Sequence, residues 1–196
     1  MSESAIPGYT MGTEQLPRSP VRLEDFELLK RTVLFNDEDV KYLRLSREVL
    51  ADQIDAVLDV WYGFIAANPF LLRFFTRKSD SQPDQAYLAR VRQRFAQWIL
   101  DTAAANYGQQ WLDYQHEIGR RHYQEKNKTD NVDSVELVSF RYLIPLIYPI
   151  TATLKPFLAK KGHDRETIDK MYRAWLKSLL LQIALWSQPY VREGAY

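Results

Sequence analysis

Cysteine is absent from the sequence. Disulfides, thiolate metal sites and a cysteine nucleophile are thereby excluded together, whereas the redox compartment stays open. A surplus of one charge is missing too: 26 Lys and Arg face 25 Asp and Glu. No global field therefore steers the chain towards nucleic acid or an anionic membrane. Apolar runs of about 18 residues, the length a spanning helix needs, do not occur. The opening, MSESAIPGYTMGTEQLPRSP, has Glu, Gly and Pro where a secretory signal needs a basic start and an apolar stretch. A cytoplasmic protein with neither nucleic-acid nor membrane partners is the expectation. Asn127-Lys128-Thr129 matches a glycosylation acceptor, a coincidence where no secretory route exists.

What is plentiful is aromatic. Apolar residues make up 46% of the 196, with 5 Trp and 12 Tyr, a set of bulky side chains that needs something large to pack against. Periodicity is near 3.6 throughout, with no strand pattern of convincing length and no internal repeat. Leu23, Phe26, Leu29 and Val33 form the stripe of a first short helix. Asn36-Asp37 supplies an N-cap for the next stretch, which is long enough for two helices and ends at Asn68-Pro69. A helix over about 86–105 carries Leu88, Val91, Phe95, Trp98 and Ile99 on one face, and Gly108 precedes another. The final helix runs from about Asp164 to Ser187. Pro145, Pro149 and Pro156 interrupt an apolar segment that is expected to be one buried, kinked helix, with a broken pair as the alternative. The fold class is all-α, seven or eight helices around one core.

Only His116, His122 and His163 are available as imidazole ligands. The string HEIGRRH has its two His six positions apart rather than four. At about 100° per residue they diverge by about 120°, so one metal cannot take both from one helix. Trp111, Tyr114, Ile118 and His122 share a stripe about 80° wide, which points His122 inward and His116 towards solvent. His163 follows Lys160-Lys161-Gly162 in a turn and is expected to be exposed. On spacing alone His122 is either a core histidine bonded to a carbonyl or a lone metal ligand, and a single imidazole suffices for haem iron. Trp61 lies at the centre of a buried face and Tyr62 at its edge, compatible with ordinary packing or with a pocket wall. Phe95, apolar on an apolar face, needs no special role. Arg120, Arg121, Lys126 and Lys128 are interleaved with Glu125 and Asp130 and suit a solvated helix end.

Taken together, VWYGFIAANPFLLRFF, RFAQWILDT, WLDYQHEIGRRH, TDNV, IYPITATLKPFLAKKG and ALWSQPYV closely resemble protoglobins, single-domain relatives of the globin-coupled sensors. The resemblance runs from IPGYTMG to the last helix. It implies a globin fold with an additional N-terminal helix and an N-terminal extension. One globin domain would span 1–196, with the extension at 1–21, the extra helix at 22–35 and the globin core at 37–192. It further implies haem b as cofactor, His122 as its proximal iron ligand, and Trp61, Tyr62 and Phe95 lining the distal side. Reversible binding of O2, CO and NO at a pentacoordinate iron is the implied function, with a homodimer through the last two helices. A haem enzyme acting on NO, peroxynitrite or peroxide with a separate redox partner is the alternative. There are two departures from the family pattern. Tyr123 stands where a second His is frequent, and Pro145-Leu146 where Ala-Phe is expected, a loss of aromatic bulk that would enlarge the distal pocket.

Overall fold

The computed structural model describes residues 6–192 and 194–196; the first five residues of the expected N-terminal extension lie outside that range. Among the described residues every regular element is helical: α1 (Leu23–Thr32), α2 (Asp37–Leu50), α3 (Ile54–Ala66), the single turn α4 (Pro69–Leu72), α5 (Gln85–Ala104), α6 (Gln109–His122), the single turn α7 (Phe140–Leu143), α8 (Ile147–Leu158) and α9 (Arg165–Ser187). Short 3-10 turns follow α4 and α9.

Local chemistry sets the boundaries. The Asn36 side chain caps α2, and Asp39 returns a bond to the Asn36 backbone N–H, a capping box. Asp84 and Asp164 cap α5 and α9 by accepting from Tyr87 and Thr167 N–H groups. Ala105, at φ 50°, ends α5 in the left-handed conformation. Pro145 lies in a three-residue turn between α7 and α8, so the segment is a broken pair rather than one kinked helix. Pro149 is tolerated because it falls in the first turn of α8, where its missing N–H had no intrahelical partner.

The long helix α9 packs against α2, α6 and α8. Met171, Ala174 and Trp175 are fully buried along it, and Leu179, Leu181 and Leu185 nearly so. Its apolar circumference is thus covered within one chain, and Leu180 alone among its leucines is exposed. Two apolar clusters result, a large one around α9 and a smaller one built from Trp61, Ile65, Leu71 and Phe74. Gly119 sets how closely α6 approaches α9: a Cβ there would lie 3.0 Å from Trp186 Cα and 3.2 Å from its carbonyl oxygen. That approach brings the end of α6 against Trp186.

Candidate functional site

Where the two clusters meet, the packing leaves a cavity with about 260 Å³ of room for water-molecule centres. Its walls come from α3 and α5 (Trp61, Tyr62, Ile65, Phe95, Trp98), from α8 and the turn before it (Leu146, Ile147, Ile150), and from α6 and α9 (Tyr114, Ile118, His122, Leu179, Ile183, Trp186). Every site residue expected from the sequence therefore lines one space. Leu146, the departure from the family pattern, is part of the wall.

His122 is the last residue of α6. Its Nδ1 lies 2.8 Å from the Ile118 carbonyl oxygen. A carbonyl only accepts, so Nδ1 carries the proton and Nε2 keeps a lone pair. Burial pushes the imidazole below its ordinary value, which keeps it neutral near pH 7. The ring stacks on Trp186 at 5.2 Å and 15°, and Trp186 is itself fixed by Nε1 donating to Gln115 Oε1 at 2.9 Å. The carbonyl of His122 accepts from Val138 N–H at 2.7 Å, with the Tyr190 hydroxyl also 2.7 Å away. Backbone, tautomer and ring plane are all constrained, as a metal-ligating imidazole requires. His116, on the same helix, is absent from the cavity wall; it is half-buried rather than turned fully to solvent. His163 is likewise partly covered.

Tyr62 packs edge-on against Phe95 and Phe75, at 6.5 and 6.4 Å between ring centroids. Arg92 sits 5.9 Å over its ring while paired with Asp55 and Asp59. The Tyr62 hydroxyl is buried and finds no hydrogen-bond partner in the protein, and burial raises its pKa above the ordinary phenol value. An orphaned buried donor is costly unless something bound beside it accepts from it, and Tyr62 is part of the cavity wall. Trp61 is 8% exposed and meets Phe95 at 5.9 Å, nearly perpendicular.

One end of the cavity is polar, and sequence reasoning missed it. Arg94, Arg121, Lys126, Thr129 and Asp130 line it. Asp130, whose side chain is 3% exposed, holds both Arg90 and Arg94. Arg121 pairs with Glu117 and also donates to the Gly8 carbonyl oxygen at 2.6 Å. Arg94 donates to the Pro7 carbonyl oxygen at 2.7 Å, so both arginines tie the N-terminal segment across this end. Gly8, at φ 73°, is required there because a Cβ would lie 2.8 Å from Arg94 Nη1 and from Thr129 Cγ2. Lys126 is 4% exposed, bonded only to Asn127 and Ser134 and lying over the Tyr87 ring. Desolvation brings its ammonium down to about 8. Arg121 and Lys126 are thus pocket residues rather than parts of a solvated helix end. Of the charged residues lining this end, three are cations (Arg94, Arg121 and Lys126) and one is a carboxylate (Asp130), an excess of two positive charges. Among the described residues no three His, Cys, Asp or Glu side chains converge to hold a bare metal ion. An iron at His122 needs a group that brings most of its own donors, and an apolar slot with one imidazole and a cationic end fits an amphipathic, dianionic macrocycle.

The protoglobin family profile matches residues 23–196. No curated protein matches the chain. Among solved structures, the chain is similar to the globin domain of the Geobacter sulfurreducens globin-coupled sensor, at 17% identity and a TM-score of 0.65, over 85% of this chain and 97% of that one. Identity at that level carries the fold alone.

Proposed function

The chain belongs to the protoglobin family, and from that premise we propose that it holds haem b on His122 and reversibly binds O2, CO or NO beside Tyr62. The observation that carries this is the pairing, in one cavity, of a neutral His122 locked through Nδ1 with an orphaned Tyr62 hydroxyl. When bound, haem supplies an iron with an open position for a diatomic ligand. His122 provides the single protein donor, Nε2. Arg94, Arg121 and Lys126 receive the two propionates, whose charge equals the positive excess at the polar end. Trp61 and Phe95 keep the opposite side apolar and narrow, and Tyr62 offers its proton to a polar ligand. The one-domain organisation belongs to the same reading, with the N-terminal segment before α1 closing the polar end.

Assembly as a homodimer through α8 and α9 completes the proposal. Supporting it are Tyr148, 74% exposed, and Leu180, 40% exposed, one on each helix. No helix among the described residues is long and apolar enough to cross a membrane. Absorption spectra of the purified protein, oxidised, reduced and with CO, test the haem reading. An intense Soret band that shifts on reduction and again with CO is expected, and its absence after haem reconstitution refutes it.

A further inference from the structure

Tyr114 forms part of the cavity wall and is 2% exposed. Its ring meets that of Tyr9 edge-on, with centroids 5.2 Å apart and planes at 70°. Tyr9 lies in the segment before α1 and is only partly buried. Its hydroxyl donates to Asp101 Oδ2 at 2.8 Å, while Asp101 Oδ1 accepts from Gln97 Nε2 at 2.8 Å. Two aromatic rings in contact therefore lead from the cavity wall to a partly buried phenol bonded to a carboxylate.

That last bond decides what the pair can do. A phenol gives up an electron readily only if its proton leaves at the same time, because the oxidised phenol is a strong acid. Tyr9 has a base in place. Burial raises the Asp101 carboxyl above its usual range, which makes it a better proton acceptor than a solvated carboxylate. Three other oxidisable groups at the cavity lack one. Trp186 and Trp98 donate to the amide oxygens of Gln115 and Gln182, which accept hydrogen bonds but do not take protons near neutrality. Tyr62 has no partner.

We propose that Tyr9 is a surface oxidation site, through which a small phenolic reductant delivers electrons by way of Tyr114 to a peroxide-oxidised haem. The inference rests on the haem reading above and adds a peroxidatic activity to it. In each turn Tyr9 passes one electron inward and its phenolic proton to Asp101. A donor phenol then returns a hydrogen atom to the Tyr9 oxygen, and Asp101 releases its proton to solvent. Two turns supply the two electrons that, with two solvent protons, convert one H2O2 into two waters, while two donor phenols each lose one hydrogen atom.

The test uses the haem-reconstituted protein, hydrogen peroxide, a nitrone spin trap and peptide mass spectrometry, with guaiacol as the donor phenol. The expected result is a trap adduct on Tyr9 that guaiacol suppresses. Tyr9→Phe and Asp101→Asn are expected to lose it while keeping the wild-type Soret band. The haem-free protein treated in the same way is expected to give none. Adducts confined to Trp98, Trp186 or Tyr114, or a wild-type yield on Tyr9 in Asp101→Asn, overturn the proposal with the haem reading intact. A wild-type protein with no Soret band fails at the haem reading instead, and the relay falls with it.

Discussion

Replacing Tyr62 by Phe removes one oxygen atom from the cavity wall and leaves the Phe95 and Phe75 contacts of the ring in place. Because no protein group accepts from this hydroxyl, its proton is committed to no protein partner, and Phe leaves no orphaned partner behind. A neutral hydrogen bond of this kind contributes about 0.5–1.5 kcal/mol, so O2 dissociation should quicken by roughly 2- to 13-fold at 25 °C. CO carries less negative charge and should respond much less. The same substitution deletes a buried, unsatisfied donor, so the haem-free protein should not become less stable. Stopped-flow displacement of O2 and of CO, with Trp61→Ala as a control, reads the effect. Trp61→Ala removes bulk rather than a donor and should speed entry of both gases alike. Equal acceleration of O2 and CO release in Tyr62→Phe would refute the reasoning, since the phenol would then be packing only.

Gly119→Ala places a methyl against Trp186 backbone atoms, which cannot swing aside. A loss of about 1–3 kcal/mol is expected in urea unfolding, together with faster haem loss, and an unchanged midpoint would mean that α6 shifts freely. Lys126→Met tests the polar end by pH. The Lys126 ammonium is held at about 8 in the fold, so the unfolded chain binds that proton more tightly. The charge therefore destabilises the folded state in full below about pH 8, and the penalty fades as pH rises towards the ordinary lysine value. Haem-free Lys126→Met should exceed wild type by up to roughly 3 kcal/mol at pH 7, with the gap closing by about pH 10.5. Bound haem should narrow the gap, and a gap independent of both pH and haem counts against the electrostatic assignment. The homodimer is checked by light scattering, where a monomer mass at micromolar concentration sinks it.

Most of the helical frame was legible because its signals are local. Asn36 caps the helix that the sequence assigns to it, and the last helix starts beside Asp164 as expected. Of the stripe from Trp111 to His122, Tyr114, Ile118 and His122 line the cavity, while Trp111 packs against Phe26 and Tyr107 instead. The polar end was illegible for the opposite reason. Asp130 pairs with Arg90 and Arg94 across 40 and 36 positions, a separation over which spacing carries no information. Arg121 and Lys126 consequently read as a solvated cluster. Likewise α2 and α6, which pack on α9 together with α8, come from distant parts of the chain. Pro145 was ambiguous in sequence because a proline both kinks and ends helices, and in the fold it lies in the turn between α7 and α8.

The central claim is that His122 alone among the three histidines holds the iron. His122→Gly, His116→Ala and His163→Ala, each reconstituted with haem, should separate cleanly in the reduced-state absorption spectrum. Wild-type spectra are expected for His116→Ala and His163→Ala. His122→Gly should retain little haem and regain the five-coordinate imidazole spectrum when free imidazole is added to fill the vacated place. A normal histidine-ligated spectrum in His122→Gly without imidazole, or its loss in His116→Ala, would contradict the account.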